Sequence, residues 1–260
     1  MTRAEAVIDL EAIASNLGRT CQGIALDDVM AVVKADGYGH GMVPVARTAR
    51  EVGAGWLGVA LPSEALQLRA TGDTGRILAW LWAPDDPDLP AAVGADVDLS
   101  VSSQWALDEI VAAGRASGVR PRIHAKVDTG LSRNGCAIEE WPALALALVS
   151  AQARGEIDIV AIWSHLANAD APLTDPLSAS VHQQHVVLHQ AIQTAQGYGL
   201  RDVRWHLANS AATLRYPDTH GALVRVGIAM YGVSPFAEQG VEELGLIPAM
   251  TLRARIALVK

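Results

Sequence analysis

Val29-Met30-Ala31-Val32-Val33 is a run of five apolar residues that ends at Lys34. Short apolar runs of this kind are typical of strands buried on both faces, as in parallel sheets. The segment that follows, K-A-D-G-Y-G-H-G (34–41), places three glycines around one tyrosine, which suggests a backbone that passes close to a ligand. The stretch therefore predicts a buried strand with a ligand-contacting loop at its carboxyl end.

Seven similar apolar runs follow along the chain, and helix-like stretches separate them. The eight predicted strands are 29–33, 56–60, 77–81, 97–101, 123–127, 157–163, 203–207 and 223–231. Ser63 and Ser103 are expected to cap two of the intervening helices, and Gly114 is expected to end the second. Longer helices are predicted over 138–154 and 181–195. Strands that alternate with helices eight times within about 250 residues indicate an α/β fold, a (β/α)8 TIM-like barrel.

A doubly wound open sheet is the competing architecture. It predicts a G-x-G-x-x-G fingerprint after the first strand, and that pattern is absent there. The barrel is therefore preferred.

The pattern changes after Tyr231. Residues 232–245 are loop-like, and M-T-L-R-A-R-I-A-L-V-K (250–260) alternates with the period of two that half-exposed strands show. We expect a barrel domain over 1–232, followed by a linker and the first strand of an incomplete C-terminal β domain over 233–260. A lone strand cannot bury its apolar face, so this strand needs a partner that the sequence pattern does not identify.

Composition narrows the class of protein. The 260 residues are half hydrophobic and carry a net charge of -8, without a Lys/Arg cluster, which argues against nucleic acid as the main partner. No stretch approaches the roughly 18 apolar residues of a membrane span, and the first residues lack a signal-peptide pattern. Cys21 and Cys136 form no disulfide framework. We expect a cytoplasmic enzyme or binding protein.

In a barrel, chemistry belongs at the carboxyl ends of the strands. The polar residues expected there are Lys34, Lys126, Asp128, Arg133, His165, His206, Asn209, Ser210 and Arg225. A lysine that follows a buried strand loses solvation, which lowers its pKa and favours the neutral amine that attacks aldehydes. Ordinary interpretations stay open: Lys34 can extend to water, Lys126 can pair with Asp128 or Asp158, and both histidines can be core residues. Asn209 and Ser210 can form a simple helix cap.

Five segments resemble, in order, the motifs of alanine racemases, and the match spans essentially the whole chain. The segment A-V-V-K-A-D-G-Y-G-H-G (31–41) is similar to the motif of the cofactor lysine. The other four are K-V-D-T-G-L-S-R-N-G (126–135), W-S-H-L-A-N-A-D (163–170), H-L-A-N-S-A-A (206–212) and R-V-G-I-A-M-Y-G (225–232). The resemblance implies a barrel that holds pyridoxal 5'-phosphate and interconverts L-alanine and D-alanine, the latter for peptidoglycan.

The resemblance also implies a role for each matching residue. Lys34 carries the cofactor and moves the proton on the D-alanine side. Arg133 contacts the cofactor's phenolic oxygen and the substrate carboxylate, and Lys126, as a carbamate, orients Arg133. His165 packs on the pyridine ring. The phosphate is held by Tyr38, Ser210 and the backbone amides of Gly227 and Ile228, with Asn209 beside it.

Arg225 is expected to face the pyridine nitrogen, with His206 supporting it from behind. Many pyridoxal enzymes place a carboxylate at that nitrogen, which keeps it protonated and makes the ring a strong electron sink. An arginine, always cationic, disfavours that protonation and so favours racemisation over transamination.

Racemisation needs a second acid–base group on the opposite face of the carbanion. In the family this is a tyrosine of the C-terminal domain, supplied by the other subunit of a homodimer. The 260 residues are expected to end before that tyrosine and to be weakly active or inactive.

Four other interpretations remain open. A non-catalytic pyridoxal-phosphate carrier would account for the length, although it should not end in an alternating strand. A barrel-type decarboxylase requires a carboxylate where this chain has Arg225. A barrel without the cofactor would leave Lys34 structural. His182, His185 and His189 share one helix face and could bind a metal, although a solvated face is favoured and no metal site is expected.

Overall fold

The computed structural model describes residues 4–256 and residue 258. Its strands are β1 Ala4–Ile8, β2 Val29–Val32, β3 Trp56–Val59, β4 Arg76–Ala79, β5 Asp98–Val101, β6 Arg122–Lys126, β7 Asp158–Trp163, β8 Arg204–His206, β9 Val224–Val226 and β10 Met250–Ala254. Its helices are α1 Leu10–Thr20, α2 Lys34–Gly39, α3 Met42–Val52, α4 Pro62–Ala70, α5 Leu89–Gly94, α6 Gln104–Ser117, α7 Trp141–Ala153, α8 Ser180–Gly197, α9 Ser210–Arg215 and α10 Val241–Leu244. Short 3-10 turns lie at Leu26–Asp28, Pro176–Ala179, Pro217–Thr219 and Ile228–Tyr231.

Eight parallel strands form an α/β barrel, which confirms the predicted fold. The strands β2 to β8 follow one another in chain order, and β9 pairs with β2. Between β8 and β9 the described residues form no regular ladder. The gap is bridged by hydrogen bonds from Arg225 N to Ala208 O (3.1 Å) and from Ala222 N to Trp205 O (2.9 Å).

Side chains alternate between the two faces of the barrel wall, as the period of a strand requires. Val29, Ala31 and Val33 join the large apolar core that includes the helices, whereas Met30 belongs to a separate cluster with Trp56, Leu78 and Leu223. On the face that Met30 shares, several strands carry buried polar residues: Asp98, Ser100, His124, Lys126, His206 and Arg225. The barrel interior therefore holds a small apolar cluster beside buried polar side chains.

All eight predicted barrel strands are present, but the last is shorter than expected. β9 ends at Val226 because Gly227 leaves the extended region (φ -113°, ψ -97°), and Ile228–Tyr231 is a 3-10 turn. Two helix boundaries were also wrong. Leu61, not Ser63, is the N-cap of α4, and α6 runs through Gly114 to end at Ser117, before a left-handed Gly118. Ser103 does cap α6, as predicted.

The alternating segment near the C-terminus has a partner that the sequence did not indicate. β10 pairs antiparallel with β1, with Ala6 opposite Leu252. This two-stranded ribbon leaves much of its surface in solvent: Leu252 is 78% exposed and Ile256 is 81% exposed. The predicted strand extended to residue 260, and residues 257, 259 and 260 lie outside the described residues. The division of the chain at residue 232 stays a prediction.

Within the described residues, no helix combines the length and the apolar character needed to cross a membrane.

Candidate active site

The turn that carries Lys34 has a left-handed backbone. Ala35, Asp36, Gly37 and Tyr38 have φ between 52° and 61°, a region that costs residues with a Cβ roughly 1–2 kcal/mol each. Two side-chain hydrogen bonds offset part of this cost. Ala35 N donates to Glu64 Oε1 (2.6 Å), and Met42 N donates to Asp36 Oδ1 (2.8 Å). The backbone next to the lysine is therefore held in one strained shape.

Glu64 connects this turn to the next strand. Besides the Ala35 N–H, its carboxylate accepts the N–H groups of Ala60 (2.7 Å) and Leu61 (3.0 Å), at the carboxyl end of β3. Three backbone donors on one carboxylate lock the two loops together. The sequence pattern gave no reason to single out this residue.

Lys34 lies at the carboxyl end of the barrel, half-buried, with its Nζ 5.8 Å from the centre of the Tyr38 ring. Burial lowers the pKa of Lys34, and the positive charge of Arg133 lowers it further, while Glu64 acts in the opposite direction. The amine is thus easier to deprotonate than a surface lysine, as the sequence predicted.

Tyr38, Ser210 and Gly227 come together beside this turn. Gly227 N donates to Ser210 Oγ (2.9 Å), and a Cβ on Gly227 would lie 2.6 Å from the Tyr38 hydroxyl. The Tyr38 ring packs on Tyr231 with 4.8 Å between centroids. Two hydroxyls and the backbone of Gly227 therefore lie close together. A glycine is required where the backbone comes closest to the phenol.

Arg225 is buried inside the barrel and held by several hydrogen bonds. Its Nη1 donates to His206 Nδ1 (2.7 Å), and its Nη2 donates to the carbonyl oxygens of Ser164 (2.8 Å) and Leu207 (3.0 Å). The same Nη2 lies 3.3 Å from His165 Nδ1. Burial lowers the pKa of Arg225 to about 9, so the group is cationic at neutral pH. The predicted support by His206 is thus a direct hydrogen bond.

Four cationic side chains surround His165. Burial lowers the pKa of His165 to about 3, and the charges of four neighbours act in the same direction: Arg225, Arg133, Lys126 and Lys34. Lys126 ends β6, buried, with Nζ 4.6 Å from the Trp163 ring, and Arg133 is exposed on the following loop. Burial lowers the pKa of Lys126 to about 8, and Arg225 and Arg133 add to this effect. This end of the barrel therefore has a strong positive potential that suits an anionic ligand.

Several of the ordinary interpretations can now be examined. Asn209 does cap α9, because its side chain accepts the Ala212 N–H (3.0 Å), and its place beside a phosphate stays a prediction. Among the described residues, Lys126 forms no ion pair with either expected partner. Asp158 pairs with Arg120, and Asp128 accepts the N–H groups of Gly130 and Ser132.

The histidines of α8 do not form a solvated face. His185 and His189 are half-buried against Trp205, and their Nε2 atoms are 2.9 Å apart. His182 is exposed. No group of three or more metal-ligating side chains occurs in the described part of the chain.

Gln184 was missed from the sequence, whereas Trp80 was expected to end a strand and to be able to wall the pocket. Gln184 of α8 is buried and donates to His165 O (3.0 Å) while accepting the Ala167 N–H (2.8 Å), so it holds the loop after β7. Its only sequence signal is a polar residue on the apolar face of a helix. Trp80 directly follows β4. Its ring centroid is 6.2 Å from that of Trp163, and its ring lies over Gly58.

The fold and these side chains define the class: an eight-stranded parallel α/β barrel with a lysine, a second buried lysine and two arginines at one end. Comparison with known proteins identifies the family. Residues 8–235 match the model described as alanine racemase, N-terminal domain. The chain belongs to the alanine racemase family, whose members depend on pyridoxal phosphate.

Individual relatives agree with this assignment. The chain is 52% identical to the alanine racemase of Beutenbergia cavernae over 99% of its own length and 67% of that protein. It matches the crystal structure of alanine racemase from Streptomyces lavendulae with a TM-score of 0.93 and 48% identity, covering 67% of that chain. For the Bacillus anthracis enzyme with bound L-Ala-P, the TM-score is 0.84 at 32% identity, and 64% of that chain is covered. The chain thus spans about two thirds of the length of these relatives.

Proposed function

We propose that this chain binds pyridoxal phosphate through Lys34 and takes part in the interconversion of L-alanine and D-alanine. The observation that supports this most directly is the half-buried amine of Lys34, whose pKa is lowered by burial and by the positive charge of Arg133. The same turn brings Tyr38 next to Gly227 and Ser210.

The donor set fits the cofactor. A phosphate monoester needs hydroxyl and N–H donors in a positive field. The hydroxyls of Tyr38 and Ser210 and the backbone N–H of Ile228 would offer them, and the N–H of Gly227, which here donates to Ser210 Oγ, would have to turn to the phosphate. An aldehyde needs a neutral amine, and the lowered pKa of Lys34 makes that form easier to reach. When bound, pyridoxal phosphate supplies an electron sink for the pair of electrons left when the substrate loses its α-proton.

Each residue then has a definite task. Lys34 Nζ removes or returns the α-proton on the D-alanine side, and Arg133 binds the substrate carboxylate and the phenolic oxygen. Lys126, as a carbamate, would orient Arg133. His165 stays neutral, because its pKa is about 3, and can pack against a planar ring without adding charge. Arg225 presents a fixed positive charge toward the pyridine nitrogen and disfavours its protonation.

A second acid–base group is needed on the other face. Tyr231 is unsuited, because its buried hydroxyl donates to Val32 O (3.0 Å) and burial raises its pKa far above the ordinary value. Tyr38 faces Gly227 at the phosphate side. We therefore assign only Lys34 to proton transfer and expect these 260 residues alone to racemise alanine weakly. A homodimer that shares active-site residues, in the cytoplasm, belongs to the same proposal.

Cofactor binding can be tested by labelling, because the chain has only three lysines, Lys34, Lys126 and Lys260, and a labelled lysine is easily assigned. The chain is mixed with pyridoxal phosphate, its visible spectrum is recorded, and the adduct is reduced with borohydride and mapped by mass spectrometry. We expect the label on Lys34 and none in Lys34→Arg, while Lys260→Arg labels like the unmodified chain. A folded chain that carries no label on Lys34 would overturn the proposal.

Proton transfer has a separate test in D2O. The loaded chain should replace the α-proton of D-alanine by deuterium with little change of configuration, because one base returns the proton to the same face. Lys34→Arg should abolish this exchange. Rapid formation of L-alanine by these 260 residues would show that a second base is already present.

A further inference from the structure

A line of hydrogen bonds runs through the barrel from Arg225 to Asp98. Arg225 Nη1 bonds to His206 Nδ1 (2.7 Å), and His206 Nε2 bonds to His124 Nδ1 (2.9 Å). His124 Nε2 then bonds to Asp98 Oδ2 (3.1 Å). The four residues come from four strands, β9, β8, β6 and β5, and all are buried. The line connects the candidate cofactor end to the opposite half of the barrel.

The direction of every bond in this line can be derived. A guanidinium has only donors, so Nδ1 of His206 must accept and its proton must lie on Nε2. That N–H donates to Nδ1 of His124, which places the proton of His124 on Nε2 as well. An ionised carboxylate only accepts, so Asp98 requires this same arrangement from the other end.

Asp98 is well placed to impose the direction. Its two oxygens also accept from Arg76 Nη2 (2.5 Å) and Arg122 Nε (2.7 Å). Burial alone would raise the pKa of Asp98, but the hydrogen bond from His124 and the charge of Arg76 hold it below the ordinary value. Burial lowers the pKa of both histidines, and the charge of Arg225 adds to this for His206. The line is an anion, two neutral rings and a cation.

We propose that Asp98 and His124 are positioning residues that present an acceptor nitrogen of His206 to Arg225. If both rings took the opposite tautomer, the N–H of His206 would face the N–H of Arg225 across 2.7 Å, and the guanidinium would be displaced. The importance of this for the pyridine nitrogen rests on the proposed function, whereas the tautomers themselves do not.

The tautomers can be measured without cofactor or activity. In the cofactor-free chain labelled with 15N-histidine, two-bond proton–nitrogen correlations distinguish a protonated ring nitrogen from a bare one. His124→Asn and His206→Asn variants assign the signals. We expect Nε2 protonated and Nδ1 bare in both rings. A proton on Nδ1 of either ring, or a charged ring at neutral pH, would overturn the proposal.

Two variants ask which end of the line sets the direction. Arg225→Met removes the donor, and if Asp98 acts as proposed, both rings keep the Nε2–H form. Asp98→Val leaves Arg76 and Arg122 able to reach solvent, and when it is added to Arg225→Met neither end fixes the direction, so there we expect a mixture of tautomers at His206. Asp96→Asn is the control, since Asp96 pairs with Arg122 but has no bond to His124 among the described residues.

A merely structural role for Asp98 would lower stability while leaving the His206 tautomer of the double variant unchanged, and that result would refute the positioning role. A tautomer mixture in Arg225→Met would refute it too. If either variant fails to fold, the tautomers of the unmodified chain still decide the direction of the line. Failure to trap pyridoxal phosphate on Lys34 would instead count against the proposed function and leave the tautomer result standing.

Discussion

The Glu64 carboxylate accepts the backbone N–H of Ala35 over 2.6 Å, and this bond ties α4 to the residue that follows Lys34. The same carboxylate holds the loop after β3 through Ala60 and Leu61. The strained left-handed turn is thus supported from a neighbouring βα unit. A lysine that must meet an aldehyde in one geometry benefits from a backbone held in this way.

Glu64→Gln should therefore weaken both the fold and cofactor capture. A carboxamide keeps one acceptor oxygen but turns an NH2 toward a backbone N–H, which leaves a donor unpaired at a cost of about 1–3 kcal/mol. Urea unfolding should show this loss, and labelling of Lys34 should slow. Glu51→Gln, on the exposed side of α3, should change neither. Equal stability of the two variants would show that the three hydrogen bonds are unimportant.

Gly227→Ala should impair phosphate binding through Tyr38. The added methyl would lie 2.6 Å from the Tyr38 hydroxyl oxygen, so the phenol must move. We expect pyridoxal phosphate affinity to fall by about tenfold or more, equivalent to about 1.4 kcal/mol.

In Tyr38→Phe the hydroxyl is gone, and the nearest remaining ring atom is 3.3 Å from the methyl. The same Gly227→Ala change should then cost much less, and a double-mutant cycle measures the difference. Additive losses in the cycle would mean that the glycine is required for another reason.

The barrel was predictable because its strands are almost purely apolar, and burial on both faces leaves that pattern. β1 was not predicted, because A-E-A-V-I is short and mixed and its partner, β10, lies more than two hundred residues away. The end of β9 depended on the backbone angles of Gly227, and the apolar sequence continues past it.

The candidate site was also predictable only in part. Lys34 and Arg225 were found because charged residues in or beside apolar strands are conspicuous. Asp98 and His124 have the same inward orientation, but their significance depends on contacts with strands 26 and 82 residues away. Glu64 was hidden because its bond to Ala35 spans 29 residues, and because its capping bond to Leu61 occurs where the capping-box pattern expects Ser or Thr at the N-cap.

Lys126 should make stability depend on pH in a defined direction. Its folded pKa, about 8, lies below the ordinary value of 10.5, so the unfolded chain binds more protons between those values. Stability should consequently rise as pH increases from 8 to 10.5, and the cost of the buried charge should be fully present below pH 8. The upper limit of this cost is about 3 kcal/mol at 1.36 kcal/mol per pKa unit.

Lys126→Met tests this in buffer free of carbon dioxide. In urea unfolding, the free energy of unfolding of the variant should rise less with pH across that window than that of the unmodified chain. At pH 7 the variant should be the more stable of the two. Bicarbonate should stabilise the unmodified chain alone if Lys126 forms a carbamate. Identical pH profiles for the two proteins would show that Lys126 is not held in an unfavourable charged state.

His165 should make stability depend on pH with the same sign, but in the acid range. Its folded pKa is about 3 against an ordinary 6.5, because burial and four nearby cations oppose a further positive charge. The unfolded chain binds the proton first, so stability is lost as pH falls from 6.5 toward 3. At pH 5 the loss of stability from this residue is about 2 kcal/mol at 1.36 kcal/mol per pKa unit.

In urea unfolding, the His165→Asn variant should therefore lose about that much less stability than the unmodified chain between pH 7 and pH 5. His182→Gln, on the exposed side of α8, should behave like the unmodified chain. If His165→Asn keeps the full acid sensitivity, the ring must already accept a proton in the folded state, and the neutral packing role assigned to it would be wrong.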